Sequence, residues 1–177
     1  MKLESAITVA FDTKAVSQTG SFSGYASVFN VVDLGGDVVL PGAFTKSLAR
    51  RPAEQIKLFR NHDQSEPIGV PTNVIEDSKG LKFSGQLILD TVKGRETHAL
   101  MLAGALNGMS IGFKTLKDRF DRKSNLRYLE ELDLYEASIV SFPMNEQSTV
   151  DAVKSGDPDA ARAFLISIKR LTERLTA

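Results

Sequence analysis

From Leu3 to Phe142 the apolar residues fall in short runs, most of them at alternate positions. Each run is cut by a cluster containing Gly, Asp, Asn or Pro. A period of two bounded by turn residues is the pattern of half-buried strands, and it recurs often enough to specify about seven. Strands are expected over Leu3–Phe11, Phe22–Val32, Ile56–Arg60, Ile68–Ile75, Leu81–Leu89, Met109–Leu116 and, as one long or two short strands, Leu126–Phe142. Asp33-Leu34-Gly35-Gly36-Asp37 and Glu76-Asp77-Ser78-Lys79-Gly80 supply turns, and Asp118–Asn125 reads as a charged loop.

Helical signals are fewer. Pro41-Gly42-Ala43-Phe44 opens a short helix to about Arg51, stopped by Pro52. Asp90 is the expected N-cap of a second helix to about Leu106, with Val92, Ala99, Leu100, Ala103 and Leu106 on its apolar face. Gly104 weakens that helix and Asn107-Gly108 ends it. After Pro143 and a linker over Glu146–Ser155, Asp157 and Pro158 begin a last helix, with Phe164, Ile168, Leu171 and Leu175 in one stripe. The expected architecture is α+β, with a mostly antiparallel β-barrel-like core surrounded by helices rather than a doubly wound sheet. Residues 1–145 would form the main domain, and residues 146–177 the linker and terminal amphipathic helix.

Composition narrows the function. The 177 residues include 22 Lys+Arg and 22 Asp+Glu, so the formal net charge is zero. A dedicated nucleic-acid binder would carry a basic excess. No cysteine is present, which removes disulfides, thiolate nucleophiles and cysteine zinc sites. No apolar run approaches the ~20 residues of a membrane span, and the N-terminus lacks a signal peptide's apolar core. A soluble cytosolic protein without metal or cofactor is expected.

Three segments carry chemistry. Asn61-His62-Asp63 places a histidine at a strand end beside polar residues, where it can act as a general base or be a surface residue near a turn. Gly108-Met109-Ser110-Ile111-Gly112-Phe113 sets a serine between glycines, which leave room for a substrate carbonyl or merely cap a helix. Backbone N–H groups at Ile111 and Gly112 are candidate oxyanion donors on glycine placement alone. Leu134-Tyr135-Glu136-Ala137-Ser138-Ile139-Val140 holds a carboxylate inside an apolar strand, with Leu134, Glu136 and Ser138 on one face. Glu136 must face solvent or have a partner, because an unpaired buried carboxylate is costly.

Serine, histidine and carboxylate are the parts of an acyl-transfer triad, in the chain order His62, Ser110, Glu136. Two other chemistries compete. A Ser–Lys pair of Ser110 and Lys114 would span ~13 Å along a strand, too far for direct proton transfer. A metal hydrolase from His62, Asp63 and His98 lacks a spacing motif such as H-E-x-x-H, and His98 reads as a helix-surface residue.

The sequence resembles the prohead (procapsid maturation) serine proteases of tailed phages, related in fold to the herpesvirus assemblins. The resemblance rests on Gly24-Tyr25-Ala26-Ser27-Val28-Phe29, Gly36-Asp37-Val38-Val39, Pro41-Gly42-Ala43-Phe44, Asn61-His62-Asp63, Pro67-Ile68-Gly69, Gly108–Phe113, Glu136–Val140 and Pro143-Met144-Asn145, in order along the chain. It implies an assemblin-like fold with His62 as general base, Ser110 as nucleophile and Glu136 as the third member. A second histidine holds that third position in the herpesvirus relatives, and Asp63 and Asp133 remain as other carboxylates. It further implies cleavage of the scaffold segment of the major capsid protein, and of the enzyme itself, inside a procapsid in the host cytoplasm. A homodimer is implied too, while no nucleic-acid or membrane partner is expected. A non-catalytic capsid assembly module with the same fold is the alternative.

Overall fold

The computed structural model describes residues 4–10 and 16–141. The linker, the terminal helix and Pro143-Met144-Asn145 lie outside the described residues. Eight strands form one sheet: β1 (Glu4–Ala10), β2 (Ser21–Val28), β3 (Asp37–Val39), β4 (Lys57–Arg60), β5 (Asp63–Glu76), β6 (Gly80–Leu87), β7 (Gly108–Asp121) and β8 (Leu126–Val140). Two helices, α1 (Thr45–Arg50) and α2 (Val92–Leu102), and a 3-10 turn at Ala53–Gln55 accompany them.

The strand path is β1-β7-β8-β4-β5-β6-β2, with β3 added beside β8. Its two ends curl toward each other until β1 and β2 touch, and the concave side holds the core. Phe44, Phe83, Phe113, Ile56, Leu58, Ile68, Leu81, Leu87, Met101, Met109 and Ile111 are wholly buried there. The barrel-like, mostly antiparallel expectation is therefore met. Among the described residues the helices are few rather than a surrounding layer, and β3 and β4 run parallel to β8.

β8 is the hub. β7 covers one side along its length. On the other side β3 pairs at Arg127–Leu129 and β4 at Glu136–Ile139. The gap between them is filled by the chain around α1. Leu132 N–H donates to the Ala43 carbonyl, Leu134 N–H donates to Ser47 Oγ (2.8 Å), and Arg51 donates to the Leu134 carbonyl. Backbone groups that no strand reaches are thus satisfied by a helix and its flanks.

Several details depart from the sequence reading. Residues 118–121, expected as loop, continue β7. Their charges pair across the hairpin, Lys117 with Glu130 at 2.7 Å and Asp118 with Arg127 at 2.6 Å, so a ladder of ion pairs stands where apolar alternation is absent. Only residues 122–125 turn, and Asp121 accepts from Lys123 N–H at 2.9 Å. α2 is capped by Thr91, whose Oγ1 accepts from Gly94 N–H, instead of Asp90, and it stops at Leu102. Gly104 has φ +74°, so it terminates the helix instead of weakening its interior. The buried face of α2 is Gly94, Thr97 and Met101, while Val92 is 59% exposed. Finally β3, three residues long, carries too little alternation to be read as a strand.

Candidate active site

The site is built on β7 and β8 before any other element contributes. Ser110 and Ser138 are directly opposite in this antiparallel pair, and so are Gly112 and Glu136. Side chains of opposed residues share a face. Ser110 and Glu136 are therefore diagonal neighbours, roughly 7–8 Å apart by sheet geometry, a gap that one imidazole can bridge with a hydrogen bond at each nitrogen.

His62 supplies that imidazole from the next hairpin. β4 runs parallel to β8, with Arg60 opposite Ile139. Arg60 also pairs with Asp63 at the start of β5, which leaves Asn61 and His62 as a two-residue turn. Both have positive φ, +52° and +59°, as a tight mirror-image hairpin turn requires. Asn and His are among the non-glycine residues most often found in that conformation, yet each residue held there still costs about 1–3 kcal/mol. The turn is pinned to β8: Asn61 N–H donates to the Ile139 carbonyl (3.0 Å) and His62 N–H to Ser138 Oγ (3.1 Å).

Held there, His62 Nε2 lies 2.9 Å from Ser110 Oγ and Nδ1 lies 2.5 Å from Glu136 Oε1. An ionised carboxylate only accepts, so Nδ1 carries the proton and Nε2 of the neutral ring accepts from the Ser110 hydroxyl. Glu136 Oε2 accepts from Ser138 Oγ at 2.9 Å. Glu136 and Ser110 are each 4% exposed and Ser138 is fully buried, while 30% of the His62 side chain is open to solvent. The buried carboxylate thus has a donor on each oxygen, which offsets its desolvation.

The hairpin is also braced against α2. Arg60 and Lys93 both pair with Glu66, at 3.1 and 2.9 Å. The hydrogen bond from Lys93 is the main reason that the Glu66 carboxyl sits below its ordinary range.

The other candidates separate from this cluster. Asp63 turns to Ser65, whose hydroxyl and N–H hold its carboxyl below the usual range. Burial pushes Asp133 up, but hydrogen bonds from Tyr135, Arg51 and Ser47 outweigh it and lower its carboxyl. Lys114 is exposed. His98 is half-buried on α2, its Nε2 2.8 Å from the Ser17 carbonyl. Among the described residues no three His, Asp or Glu side chains are grouped to hold a metal ion.

Two readings of the glycine-flanked serine change. Ile111 and Gly112 are paired on both sides, with Ala6 and Ser5 on β1 and with Ala137 and Glu136 on β8. Strand N–H groups lie in the plane of the sheet, so these two aim at neighbouring strands and not at the face carrying Ser110. They are poorly placed as oxyanion donors. The room at Gly112 is filled by Glu136 instead. A Cβ there would stand 2.2 Å from Oε1 and 2.7 Å from Cγ and Cδ. Ser138 was visible in the sequence only as a same-face neighbour of Glu136, and that spacing was the one signal of its place in the site.

A serine with an imidazole on its hydroxyl and a carboxylate behind the ring is equipped for nucleophilic acyl transfer. Comparison with known proteins agrees in class. A family model described as caudovirus prohead serine protease matches residues 8–160. The prohead protease of Enterobacteria phage HK97 is 38% identical over 157 residues, covering 85% of this chain and 69% of that protein. The prohead protease of Escherichia phage T5 is 28% identical over 148 residues, covering 82% and 69%. Among solved structures, that of the bacteriophage T4 capsid assembly protease aligns with a TM-score of 0.62 at 15% identity, covering 80% of this chain and 98% of that one.

Proposed function

Because the chain belongs to the caudovirus prohead serine protease family, and so is a serine protease of phage prohead maturation, we propose that Ser110, His62 and Glu136 form its catalytic triad. The observation that carries this reading is the unbroken chain of hydrogen bonds from Ser110 Oγ through both imidazole nitrogens to the buried Glu136 carboxylate.

In this reading Ser110 Oγ attacks the scissile carbonyl as its proton passes to His62 Nε2. The tetrahedral adduct collapses to an acyl-enzyme, and the imidazolium returns the proton to the leaving amine. Water, deprotonated by His62, then releases the acid and regenerates Ser110. Glu136 stays ionised throughout, fixing the tautomer and stabilising the imidazolium.

The substrate is the scaffold segment of the major capsid protein, cut inside the assembling procapsid in the host cytoplasm, and the enzyme also cleaves itself. The family description, prohead serine protease, and the T4 structure's description as a capsid assembly protease support a capsid substrate; the scaffold segment, the self-cleavage and the host cytoplasm are what the resemblance to the family implies. The resemblance to herpesvirus assemblins adds a homodimer, with the apolar stripe of Phe164, Ile168, Leu171 and Leu175 as a candidate interface. Light scattering checks that point: a monomer at high concentration would contradict it.

The substrate reading is tested by co-expressing the chain with its capsid protein and weighing the products. Wild type should shorten the capsid protein by a discrete N- or C-terminal segment, and Ser110→Ala should leave it intact. An intact capsid protein in both, or a shortened one in both, would overturn the proposal.

A further inference from the structure

The Ser138 hydroxyl is fully buried in a strand whose neighbours, Ala137 and Ile139, are apolar core residues. A desolvated hydroxyl needs partners, and both of its partners belong to the site. It donates to Glu136 Oε2 at 2.9 Å and accepts the His62 backbone N–H at 3.1 Å. Its backbone is the register point of the site as well, opposite Ser110 on β7 and Phe59 on β4. One atom, Ser138 Oγ, therefore fixes the carboxylate from behind and the strained turn that presents the imidazole from in front.

We propose that Ser138 is a positioning residue for the peptidase reaction, setting the His62–Glu136 geometry through these two hydrogen bonds. The inference rests on the triad reading above. Glu136 has two other restraints, the His62 ring on Oε1 and the glycine gap opposite it. The bond to Oε2 adds an anchor for the carboxylate plane that does not depend on the imidazole. The His62 N–H has no other acceptor, so loss of the hydroxyl removes one of the two hydrogen bonds that pin the turn to β8, the other running from Asn61 N–H to the Ile139 carbonyl. Loss of the Ser138 hydroxyl thus loosens both ends of the Nδ1–H···Oε1 contact and leaves the Ser110 nucleophile itself in place.

Two variants test this, Ser138→Ala and Ser138→Cys, the thiol being a weak donor and acceptor of similar size. Reaction with an alkyl fluorophosphonate separates inactivation rate from probe affinity. The expected result for Ser138→Ala is a maximal inactivation rate reduced on the order of 10- to 100-fold, with the half-saturating probe concentration within about twofold of wild type. Ser138→Cys should fall between. Proton NMR gives a second readout that does not depend on turnover. The downfield Nδ1–H resonance of His62, assigned by its loss in His62→Ala, should weaken or move upfield in Ser138→Ala at a temperature where circular dichroism shows a folded chain.

An unchanged rate and an unchanged resonance in Ser138→Ala would overturn the proposal. If Ser138→Ala does not fold, Ser138→Cys decides on the same two readouts. A wild-type chain that labels elsewhere than Ser110 would instead sink the triad reading. In that case the NMR comparison still decides whether Ser138 sets the His62–Glu136 contact.

Discussion

The hairpin of β7 and β8 is one continuous ladder with two unlike halves. In the near half, Gly108–Phe113 is buried throughout and lies between β1 and Leu134–Val140. In the far half, Lys114–Asp121 is mostly exposed, with Phe120 56% open to solvent, and is matched to β8 by charged pairs. The register shifts once in the near half, between Gly112 and Phe113, and twice in the far half, between Thr115 and Asp118, yet what separates the halves most is burial. The near half pairs its backbone with β1 and β8, and its buried polar side chain, Ser110, with the His62 ring. The far half leaves its polar groups in water, where a lost pair is replaced by solvent. Sensitivity to substitution should follow that division.

The largest effect belongs to Ser110→Ala, which should lower peptidase turnover by about four orders of magnitude or more with a native far-UV spectrum. Next comes Glu136→Gln. The amide keeps the shape but can donate to Nδ1 and so favour the wrong tautomer, with an expected loss of up to about 10⁴-fold in kcat and little change in KM. Gly112→Ala should follow, at roughly 100-fold, because the three atoms nearest its Cβ all belong to the Glu136 side chain, which must shift. A Gly112→Ala variant of wild-type activity would break the claim that Glu136 occupies the glycine gap. The smallest effect is expected in the far half: Phe120→Ser should change stability by about 0.5 kcal/mol or less and leave activity within twofold. A large loss of activity there would erase the contrast between the halves.

Much of this was legible in the sequence because strand periodicity and buried polarity leave marks in one dimension. Glu136 inside an apolar run had either to face solvent or to have a partner, and alternation put Ser138 on its face. What could not be read is what depends on cross-strand register. That Gly112 stands opposite Glu136, and so makes room for a carboxylate instead of a substrate, follows from the β7–β8 alignment alone. The same alignment, with β1 on the other side, turns the Ile111 and Gly112 N–H groups away from Ser110. The far half of β7 was hidden for a different reason. Its cross-strand side-chain contacts are Lys117, Asp118 and Arg119 meeting Glu130, Arg127 and Tyr128, and a run of charges looks like a loop until its partner strand is in place.

The central claim is that Ser110 is activated by His62 within a preformed site. Its most direct test is to treat the protein with an alkyl fluorophosphonate and map the adduct by mass spectrometry. The expected result is a single adduct on Ser110 that disappears in His62→Ala. An adduct on another residue, or labelling of Ser110 that persists undiminished in His62→Ala, would contradict the account.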